Sequence, residues 1–183
     1  MIQLKEIKTT HEHYPFMENL LETAFPIQER RDSVEQRKNT DENPLFHNAL
    51  ITDNDTPIGL LTYWEFPTFV YIEHFAIDSR LRNGGYGRQA LEAFKQLVTT
   101  PIILEAEEPT DDITRRRIGF YERQGFVMQE VPYLQPPYRP NDEWFPLKLM
   151  TYGTIDMEKE YFTLKNKIYR EVYCNCCNQH LKI

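Results

Sequence analysis

The stretch 80-RLRNGGYGRQALEAF-94 gathers three of the chain's seven glycines into four residues, with arginines on both sides. Glycine costs backbone entropy, so such a cluster marks a tight turn or a backbone that something must approach. Behind it, Tyr86, Ala90, Leu91, Phe94, Leu97 and Val98 fall at helical spacing. At the start of that helix, N–H groups unobstructed by Cβ atoms would face outward at the positive end of the dipole, which suits a pyrophosphate. A glycine-rich turn with no ligand accounts for the same residues. Read as 85-GYGRQA-90, the loop also matches the dinucleotide fingerprint G-x-G-x-x-A, with Glu105 placed to hold a ribose. Two facts oppose that reading. Residues 78–84 separate the preceding strand from the fingerprint, and the flanking hairpin strands do not form repeated βαβ units. No Lys-Ser or Lys-Thr follows the glycines, which excludes a P-loop.

Other polar residues interrupt apolar segments. Glu73 and His74 lie within 69-FVYIEHFAI-77, and strand alternation sends them to opposite faces, Glu73 with Tyr71 and Phe75. A polar group in a buried strand is paired or functional, and a satisfied buried carboxylate is the plain alternative to a base. Tyr121, in 118-IGFYERQGF-126, reads on its own as a packing residue. In 11-HEHY-14 the two imidazoles fall on different faces of a helix start, so the motif reads as surface. The tail offers Cys174, Cys176, Cys177 and His180, but not the paired C-x-x-C spacing of structural zinc sites. No metal is expected.

Composition narrows the classes. Hydrophobic residues at 40% and aromatics at 13% describe a globular chain. A net charge of −7 argues against a nucleic-acid surface. No apolar run approaches the roughly 20 residues of a membrane span, and the polar N-terminus does not read as a signal peptide. A cytoplasmic protein is expected.

The elements follow from periodicity and punctuation. A strand is predicted over 2–8, a helix from Thr9 and Thr10 to Phe25, and a short exposed helix or mobile loop over the polar residues 28–44. Strands 45–52 and 57–66 form a hairpin about 53-DNDT-56. Strand 69–77, buried on both faces, precedes the glycine loop and its helix. Strand 102–107, helix 110–126, strands 126–133 and 144–152, and an amphipathic helix from Met157 to Val172 complete the chain. The class is α+β, with a mixed, mostly antiparallel central sheet flanked by helices.

Read as Arg82-x-x-Gly85-x-Gly87, the loop resembles the acyl-CoA pyrophosphate loop of the general N-acetyltransferases, the GNAT superfamily. The strand 71-YIEHFAID-78 before it and 117-RIGFYERQGF-126 after it stand where that family has its central strand and tyrosine helix. The resemblance covers residues 1–152; the closing helix and cysteine tail, 153–183, lie outside it. It implies acetyl-CoA as co-substrate, with the pyrophosphate on Arg82, Asn83, Gly84, Gly85, Tyr86, Gly87 and Arg88. The main chain of Phe75, Ala76 and Ile77 would hold the pantetheine arm in a gap beside the parallel strand 102–107. Tyr121 would protonate the leaving thiolate. Glu73 is preferred as the base for the amine, with His74 as the alternative. For the run 115-RRR-117, a solvated helix face and a contact of Arg116 and Arg117 with the 3′-phosphate stay open. Thr114 and Arg117 stand where many relatives have Asn and Ala.

Three functions follow from these residues. The first is acetyl transfer from acetyl-CoA to a primary amine of a small acceptor by direct attack. The others are a nicotinamide-dependent oxidoreductase using the G-x-G-x-x-A run, and acyl-CoA binding without catalysis. The sequence leaves the acceptor and the oligomeric state open.

Overall fold

A computed structural model of the chain describes residues 1–81 and 84–173; Arg82, Asn83 and 174–183 lie outside the described residues. The chain forms two compact units, Met1–Thr100 and Pro101–Ile183. The class is the expected one: α+β, with a mixed, mostly antiparallel sheet flanked by helices.

The first unit is an antiparallel meander of β1 (Ile2–Glu6), β2 (Phe46–Asp53), β3 (Thr56–Glu65) and β4 (Val70–Ile77). The predicted hairpin turns through Asn54 and Asp55, both at positive φ, as a primed two-residue turn requires. Helix α1 (Tyr14–Ala24) buries Tyr14, Met17, Leu20 and Leu21 against Ile7, Leu50 and Leu60 on one sheet face. Helix α3 (Tyr86–Leu97) buries Ala90, Leu91 and Phe94, and the Phe94 ring meets Tyr63 on the other face.

The polar segment 28–44 departs from expectation. It contains α2 (Ser33–Glu42), capped by Asp32, and it is not a purely exposed element: Arg31, Gln36 and Thr40 are buried. Bidentate Arg37 to Glu18, and Thr9 to Asp41, tie α2 to α1 and to the chain after β1. Thr9 is thus spent on Asp41 rather than on capping α1, which starts at Tyr14.

In the second unit β8 (Phe145–Tyr152) pairs antiparallel with β5 (Ile102–Ala106), β6 (Val127–Met128) and β7 (Tyr133–Gln135). The single strand expected over 126–133 is two short pieces, since Pro132 cannot donate to a ladder. Helix α4 (Asp112–Arg123) opens on a reciprocal capping box of Asp111 and Thr114, and Gly125 turns it off at φ 84°. Helix α5 (Met157–Val172) belongs to this unit. Its Tyr161 and Tyr169 hydroxyls donate to the carbonyls of Pro132 and Leu134, and Tyr173, just past its end, donates to Glu105. Among the described residues no helix is long and apolar enough to cross a membrane, and no group of three His, Cys, Asp or Glu could hold a metal.

Gly59 of β3 has a steric role. A Cβ there would lie 2.5 Å from the Ala76 carbonyl oxygen and 2.8 Å from Ile77 Cδ1. The first of these is backbone and cannot swing away. Gly59→Ala should therefore push β3 off the end of β4 and cost about 1–3 kcal/mol. The check is the urea unfolding midpoint, which should fall; an unchanged midpoint would mean that the strands part freely.

Candidate active site

The chemistry expected of the first unit sits on β4 and at the start of α3. Along β3 and β4 the register runs Leu61 to Phe75 and Thr62 to His74, then jumps to Tyr63 with Ile72 and Trp64 with Tyr71. Glu73 is the extra residue, a β-bulge. A bulge breaks the two-residue alternation, so Glu73 and His74 do not point to opposite faces. His74 Nδ1 lies 3.0 Å from the Thr62 hydroxyl, and Glu73 Oε2 accepts from Trp64 Nε1 at 2.9 Å. Thr62 and Trp64 stand two apart on one strand and share a face, so both β4 side chains reach that same face. The expected grouping of Glu73 with Phe75 is corrected accordingly, since Phe75 now faces the other way.

Glu73 is fully partnered within the first unit. Arg31 Nη2 donates to Oε1 at 2.6 Å and Nη1 to Oε2 at 2.9 Å, a two-pronged pair whose side chains are 3% and 0% exposed. The Arg31 guanidinium lies 5.6 Å from the Phe46 ring and 5.5 Å from the Trp64 ring, and it also reaches Gln36 Oε1 at 3.1 Å. Removing one partner would leave the other charge buried, at a cost on the order of 3–5 kcal/mol. The carboxylate expected to meet an amine is therefore sequestered as it stands. The residue nonetheless keeps part of its surface while its side chain has none, so what is exposed at the bulge is main chain.

His74 is 1% exposed, and both ring nitrogens are engaged. Nε2 lies 2.9 Å from the Glu29 carbonyl oxygen, which can only accept, so Nε2 carries the proton and Nδ1 accepts from Thr62. Phe25 packs edge-on against the ring at 4.7 Å. Beyond His74, Phe75, Ala76 and Ile77 are half-buried.

Gly85 is the N-cap of α3 at φ 75°, and no side chain among the described residues caps the helix. Gly84 and Gly85 are exposed, and Tyr86 and Gly87 half-exposed. The first N–H groups of α3 are thus left for an anion, the fit a pyrophosphate needs. Arg80 is committed to Asp78, which it holds at about 2. Arg88 is exposed and forms no ion pair among the described residues. Arg82 and Asn83, the other expected loop contacts, lie outside the described residues.

In the second unit Tyr121 lies on α4, its ring edge-on to Phe120 and Phe126. Burial pushes its phenol up to about 12, with the Arg117 charge pulling the other way. The hydroxyl makes no hydrogen bond among the described residues. Arg117 pairs with Glu107 at 2.6 Å, Arg115 with Asp112 at 2.8 Å, and Arg116 is exposed. Glu105, the residue of the ribose reading, accepts from the Tyr133 and Tyr173 hydroxyls.

Arg31 and Trp64 carry the environment of Glu73, and no local pattern marked either. The one signal was chemical: a carboxylate inside an apolar strand needs a donor.

The Acetyltransferase (GNAT) family pattern matches residues 14–126. The chain belongs to the GNAT acetyltransferase family. A structure from Bacteroides thetaiotaomicron assigned to the GNAT family of acetyltransferases is 44% identical, covers 93% of this chain and 98% of its own, and superposes with a TM-score of 0.91. Residues 1–152 are 152 of 183, about 83% of the chain, so that likeness extends into α5. Arabidopsis thaliana Naa50 with a CoA bisubstrate analogue is 16% identical, covering 84% of this chain and 99% of its own at a TM-score of 0.61. An aminoglycoside 6′-N-acetyltransferase with coenzyme A is 15% identical, covering 84% and 99% at 0.57. These two share the fold. No curated protein matches. Family membership, together with an antiparallel β1–β4 meander where a dinucleotide fold needs repeated βαβ units, removes the dinucleotide reading of 85-GYGRQA-90.

Burial is the main force holding His74 below its ordinary 6.5; the charges of Arg31 and Arg30 act the same way, while Glu73 and the bond to Glu29 oppose. The folded chain therefore refuses a proton that the unfolded chain accepts. Stability contributed by neutral His74 is complete above about pH 6.5 and is lost as pH falls below it, by up to about 1.4 kcal/mol per pH unit. Urea unfolding across that range should show the slope, and His74→Gln should reduce it by about one proton. An equal slope in both proteins would show that His74 is not its source.

Proposed function

We propose that the chain transfers an acetyl group from acetyl-CoA to a primary amine by direct attack. The observation that carries this reading is the uncapped start of α3, where Gly85 at φ 75° leaves the first N–H groups open for a pyrophosphate in a GNAT family member. Gly84, Gly85, Tyr86, Gly87 and Arg88 would hold the phosphates, and Arg82 and Asn83 are assigned the same role from the sequence. Arg116 is the better candidate for the 3′-phosphate, because Arg117 is already paired with Glu107.

The thioester supplies an activated carbonyl and a thiolate leaving group. The main chain exposed at the β4 bulge would donate to the carbonyl oxygen, and Phe75, Ala76 and Ile77 would hold the pantetheine arm. Tyr121 keeps its proton across the working range, and its hydroxyl makes no hydrogen bond among the described residues, which suits a donor to the departing sulfur. The amine would attack in its neutral form, its nitrogen forming a bond to the acetyl carbon as the C–S bond breaks. The proton it sheds on becoming an amide would pass to water, since Glu73 and His74 are engaged in their observed pairings. That same sequestration favours one other reading, acyl-CoA binding without transfer.

Thiol release from acetyl-CoA across a panel of small amines and peptide N-termini separates the two. Transfer predicts release with at least one amine; saturable acetyl-CoA binding with release from none would favour binding alone. Tyr121→Phe should keep acetyl-CoA affinity and lower turnover about a hundredfold or more. Unchanged turnover would return Tyr121 to a packing role. Gly87→Val should abolish acetyl-CoA binding in a folded protein, and normal binding would displace the phosphates from this loop.

A further inference from the structure

Glu73 is where β4 carries one residue more than β3 can match. An unpinned bulge can move along its strand, and each step sends a different main-chain group outward. Here it is pinned from outside the sheet. Arg31, between the turn Ile27–Glu29 and the N-cap of α2, is 3% exposed in a segment that is otherwise largely polar and exposed. Its flat fork meets both oxygens of Glu73, and Trp64 of β3 donates to one of them. Phe46 and Trp64 lie within 6 Å of the guanidinium. His74 adds a second tie to the same segment through the Glu29 carbonyl.

A buried ion pair contributes little net stability compared with apolar residues of the same volume. What a two-pronged pair does supply is direction, because both oxygens and both nitrogens must lie in register.

We propose that Arg31 is a positioning residue: by gripping Glu73 it fixes the bulge in β4, and so the main-chain group that bulge turns outward. This rests on the acetyl-transfer reading only for its catalytic consequence. Glu73 then acts through its pairing and not as the base for the amine. Lysine cannot replace Arg31, because a single ammonium lacks the fork.

The test compares Arg31→Lys, Glu73→Gln and the apolar double variant R31M/E73L, which removes both charges together and so guards against loss of folding. Amide hydrogen exchange is read on the ligand-free proteins. Residues 71–75 should exchange at least about tenfold faster in all folded variants, with β1 and β2 unchanged. Because no acetyl-CoA is present, this readout stands whatever the fate of the acetyl-transfer reading. Exchange at 71–75 as slow as in the parent chain, in the folded double variant, would overturn the proposal.

Turnover with the most active amine of the panel gives a second readout. The variants should lose kcat about tenfold or more while the Kd for acetyl-CoA stays within about twofold. All should retain the ionisations of the parent pH–rate profile. If Glu73→Gln alone removed an ionisation while Arg31→Lys kept full kcat, Glu73 would be a base and the positioning role would be wrong.

Discussion

One residue too many in β4 governs the first unit. Eight residues from Val70 to Ile77 face a β3 that pairs with seven of them, and the surplus falls at Glu73. From that surplus come the shared face of Glu73 and His74, the exposed main chain at the bulge and the need for a donor to a buried carboxylate. Arg31 answers that need and draws the segment before α2 into the interior. The close approach at Gly59 serves the same strand pair a few residues on, where β4 must stay flush against β3.

The parts legible in the sequence were those with local causes. The β2–β3 hairpin follows from Asn54 and Asp55, residue types that tolerate positive φ. The start of α4 was signalled by Asp111 and Thr114, and its end by Gly125. The tight turn into α3 was legible because three glycines in four residues have few uses, and Gly85 there takes φ 75°. The bulge was not, since period-two reasoning assumes an unbroken ladder. Arg31 was hidden because its partner is 42 residues away, and a polar run ordinarily means solvent. The break between β6 and β7 was announced by Pro132, but the alternation on either side of it masked the signal.

In the second unit, a phenol that keeps its proton stands on α4 with its hydroxyl free among the described residues, whereas four other tyrosines are spent on structure. Tyr133 and Tyr173 bind Glu105, and Tyr161 and Tyr169 hold the chain at Pro132 and Leu134. Sequence alone does not separate these roles, since a tyrosine is equally at home in both. The structure shows only which hydroxyls are tied to other groups.

Acetyl transfer as proposed requires acetyl-CoA to meet the start of α3. The most direct measurement is a nitrogen–proton correlation titration that follows the amides of Gly85, Tyr86, Gly87 and Arg88 as acetyl-CoA is added. These N–H groups have no helical partner, so a pyrophosphate accepting from them should produce the largest shifts in the spectrum, saturating with the binding curve. Acetyl-CoA that saturates the protein while these four amides stay in place, or that does not bind, would contradict a pyrophosphate site at the start of α3.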